Sequence, residues 1–185
     1  VVSLGARTLD DVLTSITTVA QALGAEDEGA ELVGGLRARM RRVHETLKAA
    51  RAPRPRVAVI EWTEPVFVAG HWVPDMVRRA GGIDVLATPG EHSRARPVSE
   101  VRDADPEVIV FAPCGYALGR AHDVASMTLA RDEWAWARNR RVAVMDGNAY
   151  TSRPGPRLVD GIEILARLFN PTLFSPLLRE RGAAI

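Results

Sequence analysis

Three short apolar runs, at residues 57–60, 108–111 and 142–145, are each followed by a loop and then by a segment with helical spacing. Each run is too short for a helix and rich in Val, the composition of a strand buried on both faces of a parallel sheet. A shorter run at 84–86 lies between the first two. Strands that alternate with helices over short connections imply a parallel sheet covered by helices. The sequence therefore predicts an α/β fold with a mostly parallel sheet of four or five strands.

Caps and spacing mark the helices. Thr8 suits an N-cap, with Asp10 and Asp11 in the first turn where the helix dipole favours acids. Val12, Ile16, Val19 and Leu23 recur as one stripe, and Gly24 closes the run. Val1-Val2-Ser3-Leu4, just before, reads as the tail of a strand. A domain seldom opens on a bare apolar strand, so sequence is expected upstream. Residues 28–50 form the longest periodic segment, with Leu32, Leu36, Met40, Val43 and Leu47 on one stripe and Arg37, Arg39, Arg41, Arg42 and Glu45 on other faces. Such a helix spans about 30 Å. The segment Ala52-Pro53-Arg54-Pro55-Arg56 breaks it. Further helices are predicted at 73–80, 99–103, 118–130, 134–139 and 158–168. The first of these has Pro74 in its first turn and Gly81-Gly82 after its end.

Composition removes several function classes. With 185 residues and 46% apolar content, the chain can bury a substantial core. A net charge of +1 with Arg and acids intermixed argues against a dedicated nucleic-acid surface. The lone Cys114 excludes an internal disulfide and an all-cysteine zinc site. No apolar run reaches transmembrane length.

Unusual residues collect where strands end. The loops at 62–72, 114–116 and 146–157 follow three different strands, and in an open α/β sheet such loops share the carboxyl edge, where ligands bind. They carry Trp62, His71, Trp72, Cys114, Tyr116, Tyr150 and Arg153. Aromatic faces with a few hydrogen-bonding groups suit a bulky, partly apolar ligand. Trp62 either faces that ligand or turns beneath the sheet, and His71 either meets a polar group of the ligand or is an ordinary surface histidine. Two rival chemistries use the same residues. A hydrolase would need Cys114 as nucleophile, His71 or His122 as base and Asp146 as orienter, but there is no nucleophile-elbow motif. A metal site would gather His71, His92 and His122, but no pair has close ligand spacing. A pure interaction module is the third alternative.

The segments Glu61-Trp62-x-x-Pro65-x-Phe67-x-x-Gly70-His71-Trp72-x-Pro74, Ala80-Gly81-Gly82, Asp105-Pro106-Glu107-Val108-Ile109 and Arg153-Pro154-Gly155-Pro156-Arg157-Leu158-Val159-Asp160-Gly161 resemble the cobalamin-binding branch of the siderophore and cobalamin solute-binding proteins of ABC importers, the class III periplasmic binding proteins. The resemblance covers roughly residues 1–171. It implies Rossmann-like α/β lobes joined by a long rigid connector helix, with the ligand held between the lobes. Residues 1–27 would then be the last strand and helix of a first lobe, 28–52 the connector, 53–171 the second lobe and 172–185 a tail.

The same resemblance implies a non-enzymatic protein that captures a corrinoid and passes it to a membrane permease. Its implied location is outside the cell membrane, periplasmic or lipid-anchored. No cofactor is consumed; cobalamin is cargo, and a siderophore, haem or metal ion is the alternative. Trp62, His71, Trp72, Tyr116, Tyr150 and Arg153 are the expected ligand contacts, while Arg157 is expected to be structural. Relatives dock to the permease through a Glu whose usual slot falls here on Ser99, so Glu100 is the expected docking residue, shifted by one. If the first lobe is absent, the apolar stripe at 12–23 calls for a second copy of the chain.

Overall fold

The computed structural model describes residues 1–174 and the backbone of residues 182–184. Two helices come first, α1 (Leu9–Leu23) and α2 (Glu26–Ala49). The sheet unit follows in the order β1 (Arg56–Thr63), β2 (Val66–Val68), α3 (Val73–Arg79), β3 (Ile83–Asp84), β4 (Arg94–Ala95), α4 (Val98–Asp103), β5 (Val108–Phe111) and α5 (Leu118–Leu129). A 3-10 helix (Asp132–Asn139), β6 (Arg141–Met145), α6 (Gly147–Tyr150), α7 (Arg157–Phe169) and β7 (Gly182–Ala184) complete it.

The centre of the sheet is parallel, as the alternating pattern requires. β1 pairs with β5 from Val57 opposite Val108 to Ile60 opposite Phe111, and β5 pairs with β6 in the same sense. β3 lies parallel on the start of β1. The margins are antiparallel: β2 on the end of β1, β4 on β2, and β7 on β6. Successive residues of a strand face opposite sides, and the core divides accordingly. Val57, Val59, Val108 and Val110 face α1, α2, α3 and α7. Ala58, Ile60, Ile109 and Phe111 face α4, α5 and Trp134 of the 3-10 helix.

Several sequence expectations need correction. The loop after the first strand is a hairpin: β1 continues to Thr63, turns at Glu64 and Pro65, and returns as β2, with Trp62 opposite Phe67. Val1 to Leu4 form no strand, and Val1, Val2 and Leu4 are exposed. An isolated strand has no ladder to join. α1 has the expected Thr8 cap, with a reciprocal bond from Asp11. Its buried face, however, is Leu9, Val12, Leu13 and Ala20, and Val19 and Leu23 are exposed. α2 likewise buries Val33 in place of Leu32. Both rotations follow from α1 and α2 packing on each other, where a side chain on Gly29 would run into Ala20. The expected tail at 172–185 falls largely outside the described residues, and within it residues 182–184 add a strand.

Candidate functional site

The loops after β1–β2, β5 and β6 meet at the carboxyl edge of the sheet, and backbone groups do most of the joining. The Cys114 N–H donates to the Glu61 carbonyl at 3.0 Å, and the Asn148 N–H to the Tyr116 carbonyl at 3.2 Å. The Gly115 N–H donates to Ser152 Oγ at 3.3 Å. A fourth segment, 88–93, closes on the same edge: the His71 N–H donates to the Glu91 carbonyl at 2.6 Å and the Gly70 N–H to Ser93 Oγ at 3.0 Å. Glycine is required at two of these crossings. A Cβ on Gly70 would lie about 2.5 Å from the Glu91 carbonyl and the Ser93 nitrogen, and one on Gly147 would run into the Pro113 carbonyl.

The expected aromatic residues reach this edge but do not form one wall. Trp62 and Tyr116 pair edge-to-face, with ring centres 5.4 Å apart, on the α5 side of the sheet. Trp62 is 37% exposed. Arg120, one helical turn beyond Tyr116, lies 4.0 Å over the tyrosine ring and donates to its hydroxyl at 3.1 Å. Trp72 and Tyr150 belong to the other side, half-buried against the α3–α7 core. The Trp72 indole donates to the Thr151 carbonyl at 2.8 Å, so its polar edge is already used inside the protein. The expected contacts therefore divide between the two sides of the sheet: Trp62 with the half-buried Tyr116 on one, Trp72 and Tyr150 on the other, and the Trp62 indole too donates to a backbone carbonyl, that of Glu64 at 3.1 Å. Arg153 is exposed and donates to Asn148 within its own loop at 3.0 Å.

His71, beside Trp72, adopts a left-handed conformation, φ 53°. Its Nε2 lies 3.1 Å from Nδ1 of His92, and its ring rests on Trp72. Partial burial, then the neighbouring His92 and Arg7, hold its pKa below the ordinary value. Of the three histidines weighed as metal ligands, these two meet and His122, exposed on α5, does not join them. Burial pushes the Glu61 carboxyl above its usual range, opposed by a hydrogen bond from Ser93.

The Cys114 thiol is also pushed up by burial, with Ser152 pulling the other way and Glu61 adding to the rise. A thiol held protonated is the opposite of what a nucleophile needs. Asp146, the expected orienter, instead caps α6 by accepting from the Ala149 N–H at 2.7 Å. Glu100 is exposed on α4 and bridged to Arg96 at 3.0 Å. Residues that sequence reasoning left unweighed are Glu61, Ser93, Arg120 and Ser152. Arg120 was within reach, since it stands in the first turn of the predicted helix, four residues after Tyr116.

Two residues of the Arg153–Gly161 motif, Asp160 and Gly161, are tied into the fold. Asp160 takes an ion pair from Arg39 of α2. Gly161 is packed so closely that a Cβ would lie 2.6 Å from Met76 Cε and 2.7 Å from the Tyr150 carbonyl.

Solved structures resemble this arrangement. An ABC transporter substrate-binding protein from Listeria monocytogenes EGD-e superposes with a TM-score of 0.76 at 17% identity, over 89% of this chain and 66% of its own. A periplasmic heme-binding protein from Pseudomonas aeruginosa gives 0.74 at 22% identity, over 93% and 64%. The periplasmic vitamin B12 binding protein of Vibrio cholerae gives 0.67 at 18% identity, over 91% and 64%. The chain thus spans less than two thirds of the length of each of these proteins. Curated proteins offer no match to the sequence. Residues 1–149 do match the periplasmic binding protein family. By that match, over most of its length, and by its fold, the chain belongs to the periplasmic binding protein family.

Proposed function

We propose that this chain serves as part of the solute-binding component of an ABC importer, working outside the cell membrane, and that its carboxyl edge takes a corrinoid such as cobalamin. The observation that carries this reading is the Trp62–Tyr116 pair at this edge, with Trp62 exposed and Arg120 across the tyrosine ring. A corrin ring is broad and largely apolar, with amide arms and a phosphate at its rim. Rigid aromatic faces receive such a ring at little entropic cost, and a guanidinium meets its polar rim. Family membership supports the importer role. In this reading the ligand is carried unchanged, His71 and Arg153 contribute at the margin, and Glu100 faces the permease.

Haem is the second reading. It is favoured by the cations beside the edge, Arg120 and Arg153, which suit an anionic rim, and by the heme-binding relative from Pseudomonas aeruginosa. Calorimetric titration of the full-length protein with cyanocobalamin, hemin and a ferric hydroxamate separates the candidates. The corrinoid reading expects a cobalamin isotherm weakened about 30-fold or more, on the order of 2 kcal/mol, by Trp62→Ala or Tyr116→Ala. A hemin isotherm alone selects the second reading, and no isotherm with any of the three removes both.

A further inference from the structure

A cavity of about 710 Å³ opens at the opposite end of the molecule, between α1, the second half of α2 and the end of α3. Arg54 and Gly81, which line it, immediately precede β1 and β3 and so mark the amino edge of the sheet. Its floor is apolar, from Leu13, Met40 and Leu47. Gly81, at φ 91°, lets the end of α3 settle directly on Leu47, where a Cβ would come within 2.9 Å of Cδ1.

The rim is strongly basic in a chain whose net charge is only +1. Arg78 and Arg79 are answered by Asp75 and Asp10. Arg54 donates to the Gly82 carbonyl. The side chains of Arg37, Arg41, Lys48 and Arg51 have no hydrogen bond or ion pair among the described residues. Arg51 is held at the rim by a left-handed backbone, φ 48°, directly after α2. The Arg79 Nε is buried with no hydrogen-bond partner. Asp10 is the only carboxylate among the lining residues and is already paired.

Cations gathered around a concavity repel one another, and low-dielectric walls strengthen both that repulsion and the attraction for an anion. An ordinary solvated arginine face is convex and interleaved with acids; this one is concave, floored by apolar side chains and almost free of acids. We propose that the cavity binds a polyanion bearing two or more phosphate groups, with Arg41, Lys48 and Arg51 as principal contacts. Guanidinium groups match phosphate oxygens in pairs, and the volume is that of a small-molecule site. The apolar floor accommodates an uncharged body carried by the same ligand. The phosphates come either from a free small molecule or from a lipid headgroup.

The test uses inorganic triphosphate as the free probe and vesicles containing cardiolipin, whose headgroup carries two phosphates, as the lipid probe, with phosphatidylcholine vesicles as the blank. Binding to the full-length protein is followed by calorimetry and co-sedimentation. The proposal expects triphosphate or cardiolipin vesicles, but not phosphatidylcholine, to bind, with at least a tenfold loss in Arg41→Glu/Lys48→Glu. Triphosphate binding identifies a free ligand, and vesicle binding alone identifies a headgroup. Arg138→Glu, an equal charge change per residue outside the cavity, should shift affinity less than twofold. No binding of either anion, or an equal loss in Arg138→Glu and in single Arg41→Glu, overturns the proposal. Cobalamin or hemin titration of the same variants reads the aromatic edge separately, so the two sites succeed or fail independently.

Discussion

Arg39 of α2 forks onto Glu163 of α7, with Nε and Nη2 donating to the two carboxylate oxygens at 2.9 and 2.6 Å. Nη2 also reaches Asp160 at 2.5 Å, so one guanidinium holds two acids a single helical turn apart. All three side chains are 23–29% exposed. Removing the cation leaves two carboxylates facing each other in a half-buried seam. Arg39→Ala should therefore lower stability by about 1–2 kcal/mol, less than the loss for a fully buried pair. Chemical denaturation measures it, and a double-mutant cycle with Glu163→Gln should return a clear coupling energy; no coupling would leave the fork without energetic weight.

Trp72 should behave as a brace. Trp72→Phe keeps most of the ring's packing and removes the bond to the Thr151 carbonyl. The expected cost is about 1–3 kcal/mol of stability, because a buried carbonyl loses its donor. Ligand affinity should change far less than in Trp62→Ala. Paired denaturation and titration of the two variants checks this, and a large affinity loss at unchanged stability would return Trp72 to the ligand.

Much of this division was hidden in the sequence for a physical reason. Val57–Ile60, Val108–Phe111 and Val142–Met145 announce themselves because strands buried on both faces must be continuously apolar. The long helix and the Thr8 cap are equally local signals. Which face of a loop aromatic meets solvent is decided by register, and the bulge between Ile60 and Trp62 resets it. The hairpin was hidden because Pro65 reads as loop punctuation and Val66–Val68 has only three residues. Val19 and Leu23 of α1 lost to Leu9 and Leu13 because helical spacing alone permits either stripe, and the partner helix chooses. The carboxyl-edge location was legible; the pairing of Tyr116 with Trp62 was not.

Asp84 gives the chain a pH signature. Burial pushes its carboxyl up to about 6, opposed by bonds from the Leu86 and Ala87 N–H groups. A folded-state pKa above the unfolded one means the native state holds the proton more tightly. This residue's contribution is therefore most favourable below about pH 4, declines as pH rises to about 6, and is flat above. Asp84→Asn keeps an acceptor for the two N–H groups and should raise stability at pH 7.5 by roughly 1–2 kcal/mol, with little gain at pH 4. Urea midpoints at the two pH values provide the test, and a gain independent of pH would contradict it.

Gly161→Ala should cost about 1–3 kcal/mol. Met76 Cε is the far end of a flexible side chain, but the Tyr150 carbonyl belongs to the backbone and yields less easily. Thermal unfolding measures the loss. A second substitution, Met76→Ala, should recover little of it, since the rigid contact is the carbonyl.

The carboxyl edge is wired through main-chain groups, at Cys114 to Glu61, Asn148 to Tyr116 and His71 to Glu91. Any amino acid other than proline supplies the same donors and carbonyls. The side chains of Trp62, Tyr116 and Arg120 take no part in that main-chain wiring; they pack mainly on one another. Side chains at this edge can change while the frame persists, a form of evolvability set by where the hydrogen bonds run.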